Sequence, residues 1–348
     1  MVTSAFVIPG DIDLPTGGYA YDRQVLARLP AHGVRIGHVA LPSNYPFPGF
    51  DDLERTSAIL GALPADTVLL IDGLAFGAMP NRVVSRIEQP IVALCHHPLA
   101  LEAGLEAGRR RKLRATETAA LALARHVIVT SPTTARTLVT EYNVPTERIT
   151  VAIPGTVRAA RATGTICPMQ LLAVGSIIPR KGYDVLIQAL VGLTDRDWQL
   201  GIVGSDQFSP DTGCRLRDII LRSGLDSRVR LLGTMNEADL SRLYAAADVF
   251  VMPSLYEGFG MVLTEAMARG LPIVCTTGGA AAETVPDSAA IKVSPGDVLE
   301  FRTALASVLD DVELRRRMAD AAWVAAQRLP TWDDTARIIA DVIRKVAV

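Results

Sequence analysis

Short apolar runs recur along the chain with helix-length segments between them: "SAFVI", "VRIGHVAL", "TVLLID", "IVALC", "HVIVT", "ITVAI", then "LLAVG", "WQLGIVG", "RVRLLG", "DVFVMPS" and "PIVCT". Strand-like runs separated by amphipathic stretches predict parallel sheets assembled from strand-helix-strand units. The alternation pauses once, in "TVRAARATGTICP", which holds Gly164 and Pro168 and has little apolar periodicity. That segment is read as a linker. A length of 348 residues is itself that of about two domains. The expected fold is therefore α/β, with two doubly wound, Rossmann-like domains whose parallel sheets face each other across a cleft. The first covers residues 1–160 and the second 161–330. Residues 331–348 form a last helix that follows the break at Pro330 and is expected to cross back onto the first domain.

Composition excludes several classes. A hydrophobic fraction of 49% and a charged fraction of 21% are those of a globular protein, and no run nears the ~20 apolar residues of a membrane span. The opening "MVTSAFVIPGDID" reads as a first strand and not a secretory signal, so a cytoplasmic location is expected. Cys95, Cys167, Cys214 and Cys275 show no Cys-x-x-Cys pairing, against a zinc site or a disulfide framework. A net charge of −2 supplies no general field for nucleic acid. A dinucleotide oxidoreductase would need Gly-x-Gly-x-x-Gly after a strand, and no such run occurs.

Two segments carry chemistry. "LYEGFGMVLTEAMARG" follows the strand-like "DVFVMPS" and places Glu257 before a Gly258-Phe259-Gly260 turn and Glu265 within the helix after it. A helix N-terminus presents free amides to an anion, and glycines let backbone amides approach it closely. Two acceptor-only carboxylates beside such a seat suit a ligand rich in hydroxyl donors, as a nucleotide sugar is. A dipole-complementing Glu257 and a solvated Glu265 are the plainer alternative. The second segment, "LLAVGSIIPRKGYDVLIQAL", sets Arg180 and Lys181 at a strand-to-helix turn, where two cations can neutralise a departing diphosphate. Alone, that pair would read as a solvated loop.

Together with "RVRLLGTMNEADLSRLYAAADVFVMPSLYEGFGMVLTEAMARGLPIVCTTGGAAAETV" and "PTGGYAYDRQVLARLPAHGVRI", these segments resemble the retaining nucleotide-sugar glycosyltransferases of family four, which have the GT-B fold. The resemblance implies that Glu257 contacts the transferred sugar, Glu265 the ribose hydroxyls and Lys181 the diphosphate, with the amides of Gly258, Phe259 and Gly260 at the phosphate and sugar. It makes the second domain the donor side and the first the acceptor side. Many members carry an arginine directly after the glycine that matches Gly175, where this chain has Ser176, and Arg180 is expected to substitute in part. Gly17 and Gly18, at a loop-to-helix junction, are implied to approach the donor phosphates. His96, chosen over His97 in "IVALCHHPLAL", is implied to contact the sugar.

Asp11 and Asp13 form an Asp-x-Asp, but in the first loop, and Lys181 with the helix terminus already supplies positive charge, so no metal is expected. No cofactor is expected either. Arg109, Arg110, Arg111, Lys112 and Arg114 lie on one helix-like stretch. They can serve as a solvated face, as a contact for an acceptor phosphate, or as a patch for anionic lipid that would hold the protein peripherally on the inner face of a membrane. The expected reaction moves a hexose-type sugar from a nucleoside diphosphate, uridine being the default base, to a hydroxyl on a lipid such as diacylglycerol, a glycan or a small molecule. The resemblance suggests front-face attack with retained configuration. A sugar-nucleotide epimerase, a GT-B phosphorylase and a non-catalytic nucleotide-sugar binding module are the alternatives.

Overall fold

The computed structural model describes residues 2–165 and 167–347. The chain forms two compact units, Met1–Gly155 with Pro330–Val348, and Thr156–Leu329. Each is built on one six-stranded parallel sheet.

In the first unit the strands are β1 (Val2–Pro9), β2 (Val34–Leu41), β3 (Val68–Asp72), β4 (Ile91–Cys95), β5 (His126–Val129) and β6 (Ile149–Val151), in the spatial order β2-β1-β3-β4-β5-β6. Every residue of β3, β4 and β5 is buried, which explains why they read as unbroken apolar runs: helices cover both faces of a parallel sheet. The order reverses direction between β1 and β3. In the second unit β7 (Met169–Val174), β8 (Trp198–Val203), β9 (Val229–Leu231), β10 (Val249–Met252), β11 (Ile273–Thr276) and β12 (Ala290–Val293) lie in the order β12-β11-β10-β7-β8-β9. Here the reversal falls between β7 and β10, which pair through Leu171 with Val249 and Leu172 with Phe250. Open parallel sheets bind ligands beyond the carboxyl ends of strands at such reversals.

The last helix, Trp332–Val346, packs on the first unit, against the helix Gly17–Arg28 and strands β1 to β5. Its buried side includes Trp332, Ala336, Ile339, Ile343 and Val346, the spacing of a single helical stripe. Thr331 and Asp334 close a capping box at its start. The Thr335 hydroxyl donates to the Ile153 carbonyl at 2.7 Å, and Trp332 meets Tyr21 edge-to-face at 5.5 Å. The helix is thus part of this unit's core although the whole second unit intervenes in sequence. Because Ile339 is fully buried, Ile339→Ala should cost about 2–4 kcal/mol and lower the midpoint of urea unfolding. An unchanged midpoint would show that the helix is dispensable to the core.

Candidate active site

Strand β7 ends at Val174, and the chain then turns through the 3-10 segment Pro179–Lys181 into the helix Tyr183–Val191. Gly182 makes that turn with φ +61°, and a Cβ on it would stand 2.4 Å from the Pro253 carbonyl oxygen. Only glycine satisfies both conditions. The turn is thereby pressed against the segment that follows β10. The Leu255 amide donates to the Arg180 carbonyl at 2.8 Å, and the Arg180 guanidinium donates to the Tyr256 carbonyl at 2.9 Å. Within this seam Lys181 Nζ donates to Glu257 Oε1 at 2.6 Å, and Arg180 lies 3.5 Å from Glu257 Oε2. Burial by itself would raise the Glu257 pKa, but Lys181 and then Arg180 outweigh it and bring it to about 2. The stability this ionised carboxylate lends is therefore fully present above its ordinary pKa of 4.5 and is lost as pH falls toward about 2. The two segments singled out in the sequence meet at the reversal of strand order.

After Glu257 the turn reaches Gly260, at φ +89°, which caps the helix Met261–Met267. Among the described residues the amides of Phe259 and Gly260 donate to no protein acceptor. The helix has only seven residues, so its dipole is that of two turns and the side-chain cations contribute most of the positive charge here. Glu265, on the same helix, is half-buried. Its Oε2 accepts from the Tyr244 hydroxyl at 2.8 Å, and Arg269 stands 4.5 Å over the Tyr244 ring. Burial raises the Glu265 pKa, while the Tyr244 hydrogen bond and the Arg269 charge act in the opposite sense. The plainer expectation of a solvated Glu265 thus fails in the fold. Tyr244 carried no signal in the sequence beyond its place in an amphipathic segment, whereas Arg269 stands four positions after Glu265, a spacing that could have revealed it.

In the first unit, Gly17 and Gly18 open the helix Gly17–Arg28, which Thr16 caps by accepting from the Tyr19 amide. Gly18 faces His96: a Cβ there would lie 3.4 Å from the imidazole Cδ2. His96 follows β4, and its Nε2 lies 3.1 Å from Asp22 Oδ1 and 3.4 Å from Asp72 Oδ2. Neither acid was a candidate on sequence grounds. Asp72 ends β3, and Asp22 shares a helical stripe with buried Val25 and Leu29, so an acid among core positions was the signal that could have revealed it. His97 instead pairs with Glu102 at 3.3 Å. Asp11 closes a local turn by accepting from the Asp13 amide. The ligand atoms of Asp22, Asp72 and His96 lie within 4.8 Å of one another, and among the described residues no other His, Cys, Asp or Glu group does so. Both carboxylates stand within hydrogen-bonding distance of the same ring nitrogen.

The basic stretch lies on the helix Ala107–Leu123. Arg110, Arg111 and Lys112 are exposed, Arg114 pairs with Glu141 at 2.8 Å, and Arg109 stacks over Phe47 at 5.2 Å. The five cations are therefore not one uniform face. Phe47, Phe50, Arg82, Arg109 and Lys112 line an open groove of about 610 Å³. Phe50 is 69% exposed. Among the described residues no helix is long and apolar enough to cross a membrane.

Comparison with known proteins bears on both units. The family described as "Glycosyltransferase Family 4" matches residues 15–157, and "Glycosyl transferases group 1" matches residues 168–323. The D-inositol 3-phosphate glycosyltransferase of Corynebacterium efficiens is 32% identical over 218 residues, 57% of this chain and 51% of the relative. The chain thus spans about half the length of that curated relative. Sucrose-phosphate synthase from Thermosynechococcus elongatus superposes with a TM-score of 0.83 at 21% identity, covering 98% of each chain. Anabaena Alr3699/HepE, solved with UDP-glucose, gives a TM-score of 0.78 at 19% identity, covering 98% of this chain and 99% of its own. Two parallel six-stranded sheets, the match of both family models and these structural likenesses lead to one conclusion: the chain belongs to glycosyltransferase family 4 and has the GT-B fold.

Proposed function

We propose that the protein transfers a hexose-type sugar from a nucleoside diphosphate sugar, UDP-linked in the first instance, to an acceptor hydroxyl, with retained configuration and without a metal ion. The observation that carries this reading is the buried contact of Lys181 and Arg180 with Glu257 at the strand-order reversal of the second unit. Lys181 and Arg180 neutralise the diphosphate as it leaves, with the free amides of Phe259 and Gly260 as further donors. Arg180 stands in for the cation that Ser176 does not supply. Glu257 turns to the hydroxyls of the transferred sugar. Glu265 accepts from the ribose through Oε1, its other oxygen being held by Tyr244. The bond between the anomeric carbon and the diphosphate oxygen breaks as the acceptor oxygen bonds to the same face, and the acceptor's proton passes to the departing phosphate oxygen. Orientation and charge stabilisation are then the protein's main contributions. UDP-glucose in the structurally similar Anabaena protein supports uridine as the base.

For the acceptor, the exposed Phe47 and Phe50 beside Arg82, Arg109 and Lys112 favour an amphiphile presented at an anionic membrane surface, to which the protein binds peripherally.

Three outcomes test this reading. Lys181→Ala should lower kcat/KM by about 100- to 1,000-fold and abolish the rise in melting temperature that a UDP-sugar gives the wild type, with a smaller loss for Arg180→Ala. Unchanged donor affinity and rate in both variants would remove the diphosphate from this turn. NMR of the product should show the donor's anomeric configuration at an undiminished rate in the presence of a chelator, and an inverted linkage would reject the mechanism. Co-sedimentation with vesicles should rise with anionic lipid content and fall in the Phe50→Ser, Arg109→Glu double variant. Binding indifferent to lipid charge would sink the membrane assignment.

A further inference from the structure

Two carboxyl groups with no assigned task meet His96 inside the first unit. Asp22 is fully buried, Asp72 nearly so, and both converge on the same nitrogen of His96, at 3.1 and 3.4 Å. Ionised carboxylates only accept, so Nε2 must carry a proton to satisfy both. Two buried anions without a counter-charge would be costly: burial raises the Asp22 pKa, His96 opposes that rise and Asp72 adds to it, and the imidazolium is the cation that faces the pair. Asp22 Oδ2 is buried with no hydrogen-bond partner, an expense that structure alone does not explain. His96 itself is not sealed in. Its side chain is 21% exposed, and among the described residues Nδ1 has no protein partner.

We propose that Asp22 and Asp72 are positioning residues that lock His96 as an imidazolium, so that the ring acts through Nδ1–H as a cationic hydrogen-bond donor to an oxygen of the substrate and never as a base. This rests on the glycosyl-transfer reading and adds the charge state and orientation of the histidine to it.

The surroundings agree. Burial disfavours the charge on His96, but Asp22 and then Asp72 outweigh it, and the net direction is upward. The remaining titratable groups around the ring are Tyr21, which meets it edge-on at 5.2 Å, Tyr19 beside both acids, and Cys95 preceding it on β4. Burial raises all three, so they stay neutral and leave the balance to the two acids. The Thr130 hydroxyl donates to the His96 carbonyl at 3.0 Å and fixes the backbone below the ring.

The test begins on the ligand-free wild type, where nitrogen-15 NMR of the five histidines, with His96→Gln to assign the signal, reads protonation without any turnover. Both His96 nitrogens should remain protonated through pH 8, and Asp22→Asn should lower the midpoint by about 1–3 units. In transfer assays the wild-type rate should be level from pH 6 to 8, whereas Asp22→Asn should lose rate as pH rises through that range, with Asp22→Glu restoring the level profile. A neutral His96 at pH 7 in the wild type, a rate that climbs with pH in Asp22→Asn, or His96 signals displaced by a bound divalent ion would each overturn the proposal. Absence of transfer with every donor would strike the glycosyl-transfer reading instead, and the NMR result would still decide the state of the ring.

Discussion

The contact between Lys181 and Glu257 sets the geometry of everything around it. Their side chains are only 13% and 7% exposed, so each ion has given up most of its hydration and needs the other. Both come from turns that leave adjacent strands, β7 and β10, and neither turn is a regular element able to hold its own shape. They are stitched together by the Leu255 amide donating to the Arg180 carbonyl, by the Arg180 guanidinium donating to the Tyr256 carbonyl and by the approach of Gly182 to Pro253, with the ion pair at the end of that seam. Removing one partner would strand a charge in a low-dielectric site, and the arrangement is rigid for that reason. A diphosphate arriving in the proposed role would find a lysine already in place and not a mobile surface side chain.

The same organisation recurs in the two units at the level of topology, while the chemistry diverges. Each sheet reverses its order once, and in each case the polar groups gather beyond the strand ends near that point. In the second unit they are cations facing one carboxylate, a set suited to bind anions. In the first unit they are two carboxylates facing one imidazole, whose side chain stays 21% exposed. The terminal helix joins this unit through its buried stripe, whose Trp332 meets Tyr21, the residue before Asp22. A change in that helix has a short path to the histidine through packed side chains.

Much of this was legible in the chain itself. The eleven apolar runs correspond to β1 to β11 of the twelve parallel strands among the described residues, β12 having gone unread; in β3, β4 and β5, burial on both faces leaves no room for polar alternation. Glu257, Glu265, Arg180 and Lys181 could be singled out because glycines and charges at strand ends break the apolar pattern. What the pattern did not supply was contact. Asp22 and Asp72 lie 50 positions apart in sequence, and 24 positions separate Asp72 from His96, so no spacing rule joins them. Tyr244 belongs to a different element from Glu265 and reaches it only through packing, whereas Arg269 lies four positions beyond Glu265 and donates to its carbonyl.

The sequence by itself determined the class of fold, the strand-end positions of the charged residues and the apolar stripe of the last helix, since all three follow from local periodicity and backbone requirements. Tertiary structure alone decided that Glu257 is ionised against Lys181, that half-buried Glu265 is hydrogen-bonded by Tyr244, and that His96 is held by two acids. Those facts depend on which groups share a low-dielectric space, and a chain acquires that property only when distant segments pack together.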